Sequence, residues 1–193
     1  DRGIASNVEI HYNTNGTHYP EHAEAIWKYF RTVEVAFSID DVGARFEYQR
    51  SNAIWQQVNE NIERFRQLRK TNKNIKLQVC STVNVFNVMY LEDLANWIDQ
   101  QNFDFVYWNM LHEPYYLSVS TMPESAKNTA IDRLLNADVG DFHQREFSQI
   151  CDFIGNGAAL DGNILRMKIR DLDWRREQSL RDHHLELAQA IDY

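Results

Sequence analysis

Four short sets of polar side chains in this sequence each follow an apolar, strand-like segment. They occupy residues 13–16, 38–41, 82–87 and 109–114. If the segments are parallel strands, their carboxyl ends lie at one edge of a sheet, which is where such folds bind ligands. Ser38 and Asp40 at that edge can hydrogen-bond a ribose or a similar polyol. The sequence therefore predicts a site for a polar ligand at the carboxyl edge of a sheet.

Taken singly, these residues have simpler interpretations. The run TNG at residues 14–16 is typical of a turn. Ser38 and Asp40 also suit the cap of a helix or turn. Arg50 can bind a ligand carboxylate through its fork of donors, but a single arginine is more often a surface residue.

The histidines do not form a metal-binding pattern. His112-Glu113 lacks a second histidine one helical turn later, and Pro114 prevents the helix that such a zinc motif requires. His183 and His184 are adjacent, so a helix directs them to different sides, and we expect a surface role for them.

Composition limits the classes of protein to consider. The chain has 193 residues and a formal net charge of −8, which argues against general binding to nucleic acid. No apolar run reaches membrane-spanning length and no leader opens the chain, so we expect a cytoplasmic protein without a membrane partner. Cys80 and Cys151 form no CxxC pair, and both are predicted to be buried apolar thiols. Because the chain begins with Asp1 and soon enters a strand, we expect an upstream part to be missing.

Hydrophobic periodicity predicts the elements that position the polar sets. The predicted strands cover residues 8–12, 33–39, 75–85 and 103–111. The predicted helices between them cover residues 20–30, 54–68 and 91–98, with a polar connection at 40–53. In the first helix the residues expected to form one buried face are Ala23, Ile26, Trp27 and Phe30. Three repeats of strand, helix and strand predict an α/β fold with right-handed parallel crossovers, and four strands fit either an open sheet or part of a barrel.

Beyond Pro114 the pattern becomes mostly helical. We expect helices near residues 125–136 and 142–154, and a last helix, continuous or broken, over 161–191. The charged run at 172–177 is typical of a solvated helix face.

The order of these weak motifs resembles that of radical S-adenosylmethionine (SAM) enzymes. The motifs are TNGT at 14–17, Ser38-Ile39-Asp40 followed by Arg50, the apolar pattern at 58–62, Thr82-Val83-Asn84 leading to Asn87, and the strand end at 111–114. The resemblance covers residues 8 to about 118 and is closest to members with a SPASM or twitch extension, including phage-encoded ones. The run at 172–176 is similar to the family's closing helix.

This resemblance implies a fold and a set of cofactor contacts. Residues 1–118 would form part of the partial (βα) barrel, matching its third to sixth strands, and residues 119–193 a mostly helical extension. Ser38 and Asp40 would lie near the SAM ribose, and Arg50 near the SAM carboxylate or the substrate. The further pocket residues would be Asn15, Asn84 and Leu111, the last beside the adenine.

The chain also departs from the family pattern. The CxxxCxxC loop that holds the [4Fe-4S] cluster is absent, and Cys80 and Cys151 cannot replace three clustered thiolates. Asp41 stands where the family usually has glycine after the Ser-x-Asp triplet. The resemblance therefore implies that only an intact parent carries the cluster, and that this chain alone does not cleave SAM.

Three functions remain open from the sequence. The first is a fragment or truncated relative of a radical SAM enzyme, whose intact form cleaves SAM and abstracts a hydrogen atom from a peptide or other substrate. The second is a non-catalytic binding or interaction protein that self-associates through an open sheet edge. The third is an unrelated α/β enzyme that uses Asp40, Asp41 and Glu113 for acid–base or metal-assisted chemistry.

Overall fold

A parallel sheet of four strands forms the centre of the computed structural model, which describes residues 3–193. The strands are β1 (Glu9–Thr14), β2 (Thr32–Ser38), β3 (Ile75–Val83) and β4 (Phe105–Met110). Each strand pairs in parallel with the next one along the chain, in the order β1-β2-β3-β4. The prediction of an α/β protein with a parallel sheet is confirmed.

Helices connect the strands. They are α1 (Ala23–Trp27) and α2 (Gly43–Gln49), followed by α3 (Trp55–Thr71) and α4 (Leu91–Gln101). Right-handed crossovers that always advance in the same direction place their helices on the same face of the sheet. On that face Val35, Phe37 and Val79 are fully buried. This arrangement differs from a doubly wound sheet, in which helices cover both faces.

The opposite face, which we call the open face, is mainly polar. Except for Ala36 and Gln78 at its centre, its side chains are half-buried or exposed. The register aligns His11 of β1 with Glu34 of β2, and Gln78 of β3 with Phe105 of β4. The other polar residues on this face include Asn13, Ser38, Lys76, Cys80, Thr82, Tyr107 and Asn109. A polar ligand or a further protein surface can therefore reach the sheet from this side.

The remainder of the chain is helical. Its helices are α5 (Glu124–Leu135), α6 (Asp141–Asn156), α7 (Gly162–Arg176), α8 (Leu180–His183) and α9 (Leu185–Ala190). Trp108 of β4 contacts the rings of His143 and Phe147 edge-on, with centroids 5.6 and 5.7 Å away. Helix α6 thus extends the helical layer beyond the last strand. Within residues 3–193, none of the helices has the length and apolar character that crossing a bilayer would require.

Several local predictions were wrong. The first helix is short, and Ile26 is 51% exposed instead of buried, so Ala23 and Trp27 carry most of its contact with the core. The polar connection contains α2, which the sequence analysis did not predict. Cys80 and Cys151 are half-buried, not buried. The last helix, which the sequence allowed to be continuous or broken, is divided into α7, α8 and α9.

Two tail residues predicted to lie at the surface are buried. Asp173, in the charged run at 172–177, is 9% exposed, and His184 is fully buried. Both contact α2 or the segment after β3, as described below. A charged or polar residue type did not predict exposure at these two positions. Hydrogen bonds to Asp173 and ring contacts of His184 compensate the cost of burying them.

Candidate functional site

Asp40, directly after β2, links three segments at the carboxyl edge of the sheet. Its Oδ1 accepts a hydrogen bond from the backbone N–H of Thr82 at 2.8 Å, and its Oδ2 accepts one from Nη2 of Arg50 at 2.5 Å. The side chains of Asp40 and Arg50 are 13% and 28% exposed. A carboxylate has about four acceptor positions, so Asp40 can accept further donors from a ligand.

Two asparagines after β3 hold this edge in place. Asn87 Nδ2 donates to the carbonyl oxygens of Asp40 and Thr82 at 2.7 and 2.9 Å, and its Oδ1 accepts from the N–H of Asn84. Asn84 Nδ2 donates to the Thr82 carbonyl and to Oε1 of Gln49. We call Asp40, Arg50, Thr82, Asn84 and Asn87 the carboxyl-edge cluster. The backbone carbonyl groups at the ends of β2 and β3 therefore have hydrogen-bond partners. These hydrogen bonds stabilise the geometry of the carboxyl edge.

Ser38 lies at the end of β2 beside this cluster, and its hydroxyl has no protein partner within the described residues. The Nε of Arg50 is buried and likewise has no hydrogen-bond partner in that part of the chain. Buried polar atoms are nearly always hydrogen-bonded, so an orphaned donor calls for an explanation. A ligand hydroxyl near Ser38 would supply the missing partner of the Ser38 hydroxyl.

Asp41 points away from this cluster into the protein. It is fully buried, and its Oδ1 accepts from the N–H of Val42 and from Nε of Arg45, while Gln49 Nε2 donates to its Oδ2. Arg45 also donates to Asp93 at 2.7 Å. Burial outweighs the attraction of Arg45 and raises the pKa of Asp41 to about 7. Asp41 is therefore a residue that anchors α2 and not one that faces a ligand.

The helical tail fixes α2 from the other side. Tyr48 OH donates to Oδ1 of Asp173, and Tyr193 OH and the N–H of Leu180 donate to Oδ2, all within 2.9 Å. Arg176 Nη1 donates to the carbonyl of Tyr48 at 2.9 Å. Since Gln49 and Arg50 follow Tyr48 directly, the tail helps to position the side chains that contact Asp40 and Asn84.

The ring of His184 lies in the same contact. It packs against Tyr48, Phe86 and Tyr90, with centroid distances of 5.0, 5.9 and 5.5 Å. Burial, together with the nearby charge of Arg45, lowers the pKa of His184 to about 3. His184 is therefore neutral near pH 7 and acts as a core aromatic residue.

Of the residues predicted to bind a cofactor, Ser38, Asp40, Arg50 and Asn84 come together, whereas two do not join the cluster. Asn15 is exposed and its Oδ1 accepts from the N–H and hydroxyl of Thr17, which makes it a turn residue. Leu111 extends the pairing of β4 by donating its N–H to the carbonyl of Val83.

The TNG turn and the apolar pattern of α3 form one packing contact. Gly16 has a φ of +78°, and a Cβ built on it would lie 2.9 Å from Cγ1 of Val58. Asn61 Nδ2 donates to the Gly16 carbonyl at 2.9 Å. Glycine is needed at this position because no other residue combines that φ with so close an approach. This contact gives two of the motifs in the resemblance a structural role.

Acid–base or metal chemistry at Asp40, Asp41 and Glu113 gains no support from the geometry. The two aspartates have different partners, and Glu113 is exposed and accepts from the N–H of Tyr115. Within residues 3–193 there is no group of three or more His, Cys, Asp or Glu side chains placed to hold a metal ion. The described residues therefore do not fit an iron–sulfur cluster either.

Arg45 and Gln49 were not predicted from the sequence, and Asn87 was named only as the end of a motif, without a role in the site. The first two lie on α2, a seven-residue helix within the segment predicted to be a polar connection. Asn87 is four residues from the end of β3 and carries the signal of an asparagine-rich strand end, which could have indicated its role.

The fold and site define this chain as a singly wound parallel α/β protein with a polar cluster at the carboxyl edge of its sheet. No protein-family model matches the sequence, and no curated protein matches it either.

Proposed function

We propose that this chain is a fragment or truncated relative of a radical SAM enzyme, and that its carboxyl-edge cluster binds the nucleoside part of SAM. The single observation that carries the proposal is that Ser38 and Asp40 lie at the end of β2, where Asp40 contacts both Arg50 and Thr82 of the neighbouring strand β3. Ligands of parallel α/β folds bind at this edge.

The sheet order supports the same proposal. Four strands in sequential order, with their crossover helices on one face, are the arrangement expected for part of a (βα) barrel wall. The polar open face would then correspond to the interior of the barrel. The four strands would match the third to sixth of the partial barrel.

Each residue has a separate task in this proposal. The Ser38 hydroxyl and the Asp40 carboxylate contact the ribose hydroxyls, and Arg50 orients Asp40 through their ion pair. When bound in an intact parent, SAM would supply the radical precursor for hydrogen abstraction from a peptide or another substrate. The described residues of this chain do not supply the ligands of a cluster, so we assign no chemical step to the chain itself.

Ser38→Ala tests the contact, because no residue from 3 to 193 forms a hydrogen bond with this hydroxyl whose loss would disturb the fold. Calorimetric titration of wild type and variant with SAM and with adenosine should show dissociation constants that rise about three- to tenfold for both ligands, the loss expected for one hydrogen bond. Ser81→Ala is the matched control, since Ser81 lies one strand away on the covered face and is fully buried. Equal losses in the two variants, or no loss in Ser38→Ala, would show that Ser38 does not contact the ligand.

A second proposal is a non-catalytic protein that self-associates through its open sheet edge. The outer edge of β1 has no neighbouring strand within the described residues, and such edges pair readily with other strands. The lack of cluster ligands in the same part of the chain favours this proposal over catalysis by the chain alone.

A further inference from the structure

A basic cleft lies at the amino-terminal end of β3. The candidate site lies at the carboxyl ends of the strands, on the opposite side of the sheet along the strand direction. Its volume is about 460 Å³, and five of its lining side chains are cationic: Arg66, Arg69, Lys70, Lys73 and Lys76. One lining side chain, Asp104, is acidic. The last turns of α3, the start of β3 and the segment before β4 together form the cleft.

The charge of this region is opposite to that of the protein as a whole. Residues 64–76 contain six of the twenty lysines and arginines and no acidic residue, whereas the chain carries a net charge of −8. Such a concentration raises the local potential and attracts anions.

Internal ion pairs satisfy only part of this charge. Asp104 is shared between Arg69 at 2.8 Å and Lys76 at 3.4 Å. Although partial burial opposes the change, hydrogen bonds from the N–H of Leu77 and from Arg69 lower the pKa of Asp104, so it is ionised near neutral pH. Glu63, which does not line the cleft, pairs with Arg66 at 2.6 Å, so two carboxylates balance only part of the charge of the five cations. Within residues 3–193, Lys70 and Lys73 are exposed and form no ion pair.

The dipole of α3 explains only some of these residues. Basic side chains stabilise the last turn of a helix, and Arg69 and Lys70 lie in that turn. Lys73 and Lys76 lie beyond the helix, where the dipole gives no reason for further cations. Lys76 pairs with Asp104, whereas Lys73 lines the same cleft with no ion pair among residues 3–193.

We propose that this cleft binds a compact anion that carries two or more phosphate groups. Arginine forks and lysine ammonium groups are the side chains that bind phosphate oxygens. The volume is in the range of small-molecule sites, which favours a compact ligand over an extended strand of nucleic acid. Because the cleft and the carboxyl-edge cluster are at opposite edges of the sheet, this proposal does not depend on SAM binding.

Inorganic tripolyphosphate is the probe, titrated into the full chain by calorimetry without metal ions. We expect one site per chain, tighter than for monophosphate at equal ionic strength, and weakened when NaCl rises from about 50 to about 200 mM because salt screens exposed charges. The double variant Lys70→Gln/Lys73→Gln should weaken binding at least about tenfold, since it removes two charged contacts with phosphate oxygens.

The control variant Lys28→Gln/Arg145→Gln removes the same charge from exposed sites elsewhere and should bind as wild type. The proposal is overturned if tripolyphosphate binds no more tightly than monophosphate, or if both double variants weaken binding equally. Binding of a DNA duplex through Lys70 and Lys73 without binding of tripolyphosphate would also overturn it, and would make this surface a nucleic-acid site.

Discussion

Asp40 and Asp41 are neighbours in sequence but have opposite roles. Asp40 is partly exposed and contacts Arg50 and Thr82 at the open edge, whereas Asp41 is buried and contacts Arg45. Alternating side-chain direction at the end of a strand explains this separation. A ligand can reach the first carboxylate only.

The raised pKa of Asp41 predicts a pH-dependent stability. Because the folded protein binds this proton more tightly than the unfolded chain, the contribution is fully present below about pH 4 and is lost as the pH rises to about 7. Asp41→Asn should remove this dependence. Urea unfolding between these pH values should therefore show the free energy of unfolding of the variant rising relative to wild type, by at most about 1.4 kcal/mol per pH unit.

Asp40→Asn is the control for this experiment, since Asp40 is ionisable but remains in contact with solvent. If the difference in the free energy of unfolding between Asp41→Asn and wild type does not change with pH, Asp41 is ionised at every pH tested. Its burial then does not control its charge.

At the residue scale, the sequence predicted the types of the site residues better than their contacts. The family resemblance grouped Ser38, Asp40 and Arg50, and in the structure Ser38 and Asp40 lie at the end of β2 with Arg50 bonded to Asp40. Asn15 was placed in the pocket on the same grounds, but a side chain in a turn can bond to its own backbone neighbours instead. Sequence spacing does not decide between these alternatives.

Helix α2 is the element on which the geometry of the site depends. It carries Arg45 and Gln49, Arg50 follows it directly, and the tail contacts it through Asp173 and His184. Its seven residues are too few for a clear amphipathic pattern, so the sequence analysis could not identify it. The longer α3 and α4 were predicted because their apolar spacing continues over several turns.

Tyr48→Phe tests whether the tail stabilises α2. The variant keeps the buried ring but leaves Oδ1 of Asp173 without this donor, so the free energy of unfolding should fall by about 1–3 kcal/mol. Urea unfolding followed by far-UV circular dichroism measures the change. Tyr29→Phe, at a position 60% exposed, is the matched control and should stay within about 0.5 kcal/mol of wild type. Equal stability of Tyr48→Phe and Tyr29→Phe would contradict a stabilising contact between the tail and α2.

At the scale of the whole molecule, the sheet has one polar face and, as far as residues 3–193 show, two outer edges without a neighbouring strand. Strand order and the direction of the crossovers followed from the repeated strand–helix pattern, which is why the fold class could be predicted. The packing of α7, α8 and α9 could not, because their burial depends on contacts more than 100 residues apart, such as Tyr48 with Asp173.

The proposal of self-association predicts a change of mass with concentration. Light scattering over about 1 to 100 μM should show a dimer that depends on neither iron nor SAM, because an unpaired edge strand pairs with a second copy. Tyr107→Lys places a charge on β4, the other edge, where the side chain is 49% exposed, and should leave a β1 dimer intact. A dimer that this variant abolishes would use β4, and a monomer at all concentrations would exclude self-association over this range.

The central claim is that the carboxyl-edge cluster binds SAM without an iron–sulfur cluster. The most direct measurement is a calorimetric titration of the full chain with SAM, before and after anaerobic incubation with iron and sulfide, with bound iron determined in parallel. We predict saturable binding of one SAM per chain with no bound iron, weakened in Ser38→Ala. A folded chain that binds no SAM under either condition would contradict the claim.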